Sequence, residues 1–269
     1  MGADVNHPAP GDVITPSIAA VVGSIDSHLF RYIPEVRLQT RNQKLQSRLE
    51  IIQDLCEMTK ALLKAYYKNI AKKPQAILFF RDGVSEGQFQ EVLRDELAEI
   101  KRACAKLSKE KDPYNPTITF VVVQKRHHAR FKPEDLRRGR GRCGNIPQGT
   151  TIDTAITHPH NFDYYQCSHL GIQGTSRPTK YVVLHDENKF TSDEMQEMTN
   201  FLCHTFSRCN SSISLVAPAQ YAHLVAFRAK EHLSTCNTDT KLGEDNVIPK
   251  EMLEAITLRD PILRTMYFV

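Results

Sequence analysis

Two apolar rhythms alternate along this chain. Short unbroken apolar runs, the pattern of strands buried on both faces, occur at Ser17–Ser24 (SIAAVVGS), Ile77–Phe80 (ILFF), Thr117–Gln124 (TITFVVVQ) and Tyr181–Leu184 (YVVL). Arg31–Gln39 follows the first run closely enough to be the second strand of a hairpin-like pair. Between these runs the apolar residues recur at helical spacing. Glu50–Ile70 carries Ile52, Leu55, Met58, Leu62, Leu63 and Tyr66 on one side. Glu86–Leu107 carries Phe89, Val92, Leu93, Leu97, Ile100 and Cys104. Thr191-Ser192-Asp193-Glu194 is a capping box for a helix reaching about Phe206, and Pro218 stands in the first turn of a helix running to Leu233. Phe131–Gly144 and Lys241–Asp245 read as loops, the second a mobile one. Strands alternating with helices predict an α/β domain built on a central mixed sheet.

Composition narrows the class. At 269 residues with 41% hydrophobic content the chain has ample material for a core. Its formal charge of +4 is too small for a general polycation, so nucleic-acid affinity has to come from local basic clusters. The seven cysteines form no CxxC pair, the usage of reduced thiols in an intracellular protein, and no run reaches the length of a membrane span. Met1–Val5 starts as though a strand were already ending, which reads as a boundary inside a longer protein. Met266–Val269 ends apolar and reads as a buried terminus.

The run Ile77–Phe80 stops at Arg81-Asp82-Gly83, setting a carboxylate at a strand tip beside a residue that lets the backbone turn. Such a carboxylate is costly unless a cation or hydrogen bonds offset its desolvation. Asp4 at the end of the first strand, Glu50 at the start of the first helix and His223 on the last are its candidate partners. Three carboxylates and an imidazole make an oxygen-rich set suited to Mg²⁺ or Mn²⁺. Alone, each has a plainer reading. An Asp after a strand is usually a turn former, a His on an apolar helix usually a core residue, and Glu50 an exposed glutamate favoured by the helix dipole. His127-His128 and His158-Pro159-His160 lack cysteine pairs at zinc-site spacing.

The segments GADVNHP, PSIAAVVGS, LEIIQDL, FFRDGVSEGQF, VVVQKRHHAR, GNIPQGTTID, CSHLGIQGTSRPTKY, AHLVAFRA and TMYFV together resemble the PIWI domain of a eukaryotic Argonaute, nearer the Argonaute-like than the Piwi-like branch. The resemblance spans residues 1–269 as one PIWI domain with a truncated first strand, and without the family's N-terminal, PAZ and MID parts. It implies an RNase H-like fold and guide-directed cleavage of target RNA in cytoplasmic RNA silencing, with a nuclear pool. The implied catalytic residues are Asp4, Glu50, Asp82 and His223, with Asp4, Asp82 and His223 as ligands of two Mg²⁺ ions, for which Mn²⁺ can substitute. The segment Thr40–Leu49 is longer than the family's usual connection to that glutamate.

The resemblance also implies guide-phosphate contacts at Lys125, Arg126, His169, Arg177, Arg208, Ser214 and Arg228. Cations and donors of this kind hold phosphates and leave sequence choice to guide–target pairing. Phe206 and Gln220 stand where the family commonly has tyrosines. Implied partners are a small guide RNA, a target RNA and glycine–tryptophan-rich silencing proteins near Leu62–Tyr67, where core packing is the competing reading. A complete set of four is also compatible with a binding module that recruits repressors without cutting. An unguided RNase H-like nuclease is disfavoured by the phosphate-contact positions. Without the missing parts, the fragment alone is expected to be poorly stable and nearly inactive. The run Arg137-Arg138-Gly139-Arg140-Gly141-Arg142 either grips RNA or is a solvated loop.

Overall fold

The structure, a computed structural model, describes residues 1–9, 12, 15–39, 50–109, 112–235, 248–257, 262 and 265–269. The segments Thr40–Leu49 and Lys241–Asp245 lie outside the described residues.

The strands are β1 (Gly2–Asn6), β2 (Ser17–Ser24), β3 (Tyr32–Gln39), β4 (Ala76–Asp82), β5 (Thr117–Gln124), β6 (Thr150–Ile152), β7 (Phe162–Cys167) and β8 (Thr179–Asp186). They form one sheet in the order β3-β2-β1-β4-β5-β8-β7-β6. The β1–β4 and β4–β5 pairs are parallel, and the others are antiparallel. The mixed α/β sheet is therefore the one the alternating pattern predicts. The helices are α1 (Leu55–Ile70), α2 (Phe89–Leu107), α3 (Ser192–Leu202), α4 (Ala217–Ser234) and α5 (Lys250–Ile256). None among the described residues is long and apolar enough to cross a membrane.

Strand period and helix period explain the layers. In β2, Ala19 and Val21 face α1 and α2, whose Leu55, Met58, Leu62, Val92 and Ile100 pack there with Phe79 and Phe120. The intervening Ile18, Ala20 and Val22 face α4, against Tyr221, Ala222 and Val225. Phe80, Val121 and Val123 meet Met195 and Leu202 of α3 on that same side. Both faces are covered, which is why the inner strands read as unbroken apolar runs. Phe268 is buried beside α4, its ring 5.7 Å from that of Tyr221.

Several expectations need correction. Asp4 does not stand at the end of the first strand: it sits within β1, which pairs with β2 along its whole length and with β4 on its other side. Glu50 does not open α1, which begins at Leu55. The amides that would start a helix there are used elsewhere, Ile52 N–H donating to Glu96 and Gln53 N–H to Gln39, and Asp54 is left-handed at φ 41°. The helix after Thr191 has its capping box but stops at Leu202, short of Phe206. Strands β6 (TTI) and β7 (FDYYQC) arise where no unbroken apolar run marks them, polar residues interrupting both.

Candidate active site

The parallel pairs Gly2↔Phe80 and Ala3↔Arg81 register β1 against β4, and the next position on each strand is Asp4 and Asp82. Two carboxylates thus stand side by side on adjacent central strands, Asp4 within β1 and Asp82 at the carboxyl end of β4. Beyond Asp82 the chain turns at Gly83, whose φ of +88° suits only glycine. A side chain there would come 3.2 Å from Glu50 Oε1 and 3.5 Å from Asp4 Oδ1, so Gly83 also leaves the space in which these groups approach. Helix α4 lies directly on β1, because a Cβ on Gly2 would collide with the Pro218 backbone at 2.2 Å. That closeness brings His223 over the sheet, where its Nδ1–H donates to Asp4 Oδ2 at 3.0 Å.

Glu50 reaches the same place from the loop before α1. Its Oε2 lies 2.7 Å from His7 Nε2, and His7 Nδ1 lies 2.8 Å from Ser17 Oγ. Arg81 donates to the Glu50 carbonyl at 2.5 Å and to Oε1 at 3.3 Å, and also to the Asp82 carbonyl. The Glu50 side chain is only 12% exposed, so it is not the exposed helix-start glutamate of the alternative reading. Arg81 is fully buried and pairs with fully buried Glu96 on α2, Nε to Oε1 at 3.1 Å. The sequence reading missed His7, Ser17, Arg81 and Glu96 as supports. Two signals were available: an arginine inside an apolar strand, and a glutamate one turn from both Val92 and Ile100.

The electrostatics follow from this crowding. Burial first, and then the charge of Asp4, push the Asp82 carboxyl up to about 6. His223 is raised, chiefly because Asp4 accepts a hydrogen bond from it. Burial pulls Arg81 down, but Glu96, Glu50 and Asp4 outweigh it and keep it charged. An under-compensated carboxylate pair with an imidazole and a third carboxylate beside it fits a divalent cation by charge and donor type. Among the described residues no three such side chains stand close enough to hold an ion as they are placed, His223 being turned onto Asp4.

A basic strip abuts this acidic centre. Lys125 at the end of β5 donates to Ser214, whose carbonyl accepts from Thr179. Burial and the nearby Arg177 lower Lys125, while Asp82 opposes them; burial and Lys125 lower His169. Arg126 opposes protonation of His223. Lys125, His169, Arg177 and Ser214 therefore lie together, and Arg126 lies toward His223. Arg208 and Arg228 are exposed and stand apart, Arg208 after α3 and Arg228 farther along α4, with its Nε 3.4 Å from His232.

Residues 1–234 match the model of the Piwi domain. The chain belongs to the Piwi-domain family. The C-terminal lobe of a budding yeast Argonaute superposes with a TM-score of 0.82 at 31% identity, over all of this chain and 52% of that one. Kluyveromyces polysporus Argonaute, solved with a guide RNA, gives 0.83 at 32% identity over all of this chain and 30% of that one. Drosophila Piwi, at 24% identity and a TM-score of 0.64, shares the fold. This Piwi domain thus has the RNase H-like fold and spans about half or less of those solved chains. In it, Leu62 and Leu63 are core residues, while Tyr67 is 53% exposed. The Phe206 ring packs 5.1 Å from that of Tyr221.

Proposed function

We propose that this Piwi domain is the cleaving module of an Argonaute, which cuts target RNA paired to a small guide RNA. One observation carries the reading: Asp4 and Asp82 stand side by side with His223 on Asp4, and Glu50 is fixed next to them. Asp4, Asp82 and His223 are the residues that would hold two Mg²⁺ ions, with Glu50 completing the set. Bound metal supplies charge stabilisation at phosphorus and an activated water. Asp82 has to be ionised for this work, and its elevated proton affinity makes cation binding compete with protonation. His223 holds Asp4 through Nδ1, which leaves Nε2 as the ring nitrogen it would offer to a cation. The His7–Glu50–Arg81 contacts keep Glu50 in place, so its docking needs little further ordering. The Lys125–Arg177 strip neutralises guide phosphates next to this centre and leaves base choice to pairing.

A second reading, guide and target binding without cutting, is favoured by the basic strip, which can hold phosphates whether or not the acidic residues act. Protein loaded with guide and given a perfectly paired target in Mg²⁺ separates the two. A single cut abolished by chelation supports the first reading. Retained target with no cut supports the second, and failure to hold a guide contradicts both.

A further inference from the structure

The arginine run at 137–142 is not absorbed by the site above. Arg137, Arg138, Arg140 and Arg142 are exposed, and Asp135 lies 3.4 Å from Arg137. Among the described residues no carboxylate pairs with Arg138, Arg140 or Arg142. Three guanidinium groups without carboxylate partners on one short segment raise the local positive potential, which attracts a polyanion.

The segment is also tightly built. Arg140 and Asn145 exchange backbone bonds at 2.7 and 2.9 Å, closing a hairpin. Gly139 and Gly144 meet so closely that a Cβ on Gly139 would lie 2.7 Å from the Gly144 Cα. Gly141 and Gly144 both adopt positive φ, at 68° and 61°. Buried Asn145 then pins the hairpin to a neighbouring loop, donating to the Gly174 carbonyl at 3.0 Å and accepting from Ser176 N–H at 2.8 Å. That loop runs from His169 to Arg177. The arginines thus stand on a hairpin tied through Asn145 to the loop that carries His169 and Arg177.

We propose that this hairpin is a second phosphate-binding surface, which grips the backbone of the target strand once it pairs with the guide. The inference rests on the guide-and-target reading above. With Lys125, His169 and Arg177 assigned to guide phosphates, the second strand is the polyanion left for these exposed arginines. Guanidinium groups without partners suit phosphates, and binding through them is independent of sequence.

The test compares guide-loaded wild type with the triple variant Arg138→Ala, Arg140→Ala, Arg142→Ala across a KCl series. Guide affinity and paired-target affinity are measured separately. Each lost phosphate contact should reduce the salt slope by roughly 0.7–0.9, so the triple variant should lose roughly 2–3 from the target slope. Guide loading and its slope should be unchanged, and the Arg→Lys triple variant should restore the target slope. An unchanged target slope in a variant that melts like wild type would overturn the hairpin assignment alone. An equal loss in guide slope would overturn its assignment to the target strand. A wild type that binds neither strand would overturn the functional reading itself.

Discussion

Arg81 Nε lies 3.1 and 3.2 Å from the two carboxylate oxygens of Glu96, and both side chains are completely buried. This pair ties α2 to the strand that ends in Asp82, and the rest of the guanidinium reaches Glu50. Removing one partner leaves a buried charge, which costs about 3–5 kcal/mol. Glu96→Leu is therefore expected to lower the denaturant midpoint markedly and to loosen the Glu50 loop. The double variant Glu96→Leu, Arg81→Met should recover much of that stability, because an apolar replacement leaves nothing unpaired, but not the Glu50 docking. Chemical denaturation with hydrogen exchange at residues 50–54 checks both parts.

Asp82 gives a pH dependence of definite sign. Its folded value of about 6 lies above the ordinary 3.8, so the folded protein binds this proton more tightly than the unfolded chain. Without divalent cations, its contribution to stability is present at low pH and is lost as pH rises from about 4 through 6. Asp82→Asn should melt about 2–4 °C above wild type at pH 7.5 in chelator, and the gap should shrink at pH 4.5. A variant that melts below wild type at pH 7.5 would show that the carboxylate is well compensated.

His7 joins Glu50 to Ser17 through its two ring nitrogens. His7→Phe keeps a ring of similar size but removes both bonds. Single-turnover cleavage should fall on the order of 10²-fold, the scale of a small misplacement, while guide and target affinities stay near wild type. A parallel loss of binding would instead mark His7 as a general structural residue.

Gly83 combines positive φ with proximity to two carboxylates. Gly83→Ala should cost about 1–2 kcal/mol in backbone strain and push against Glu50. Thermal melting and cleavage should both decline, with the Glu50 loop showing faster hydrogen exchange. Wild-type cleavage in this variant would mean that the space beside Gly83 is unnecessary.

Much of this was legible in the sequence because local rules suffice for it. The apolar runs at Ser17–Ser24, Ile77–Phe80 and Thr117–Gln124 became central strands, and Thr191–Glu194 became a capped helix start. The placement of Asp82 at a strand tip was equally readable. Glu50 was not, because its surroundings are set by amides and charges distant in the chain: Glu96 and Gln39 draw off the Ile52 and Gln53 amides that would otherwise begin a helix. Strand β7 was obscured because its run FDYYQC places Asp163 and Gln166 in buried positions. They are accommodated by Lys180, 3.4 Å from Asp163, and by a bond from Gln166 to the Gln196 carbonyl. Partners of that kind have no signature in a linear pattern.

The most direct test of the proposed cleavage compares wild type with Asp82→Ala, each loaded with the same guide and given a perfectly paired target in Mg²⁺. Wild type should make a single cut, leaving a 3′-hydroxyl and a 5′-phosphate. Asp82→Ala should bind the target equally well and leave it intact. Equal cleavage by the two proteins would contradict the assignment of Asp82, and with it the active site built around Asp4, Glu50 and His223.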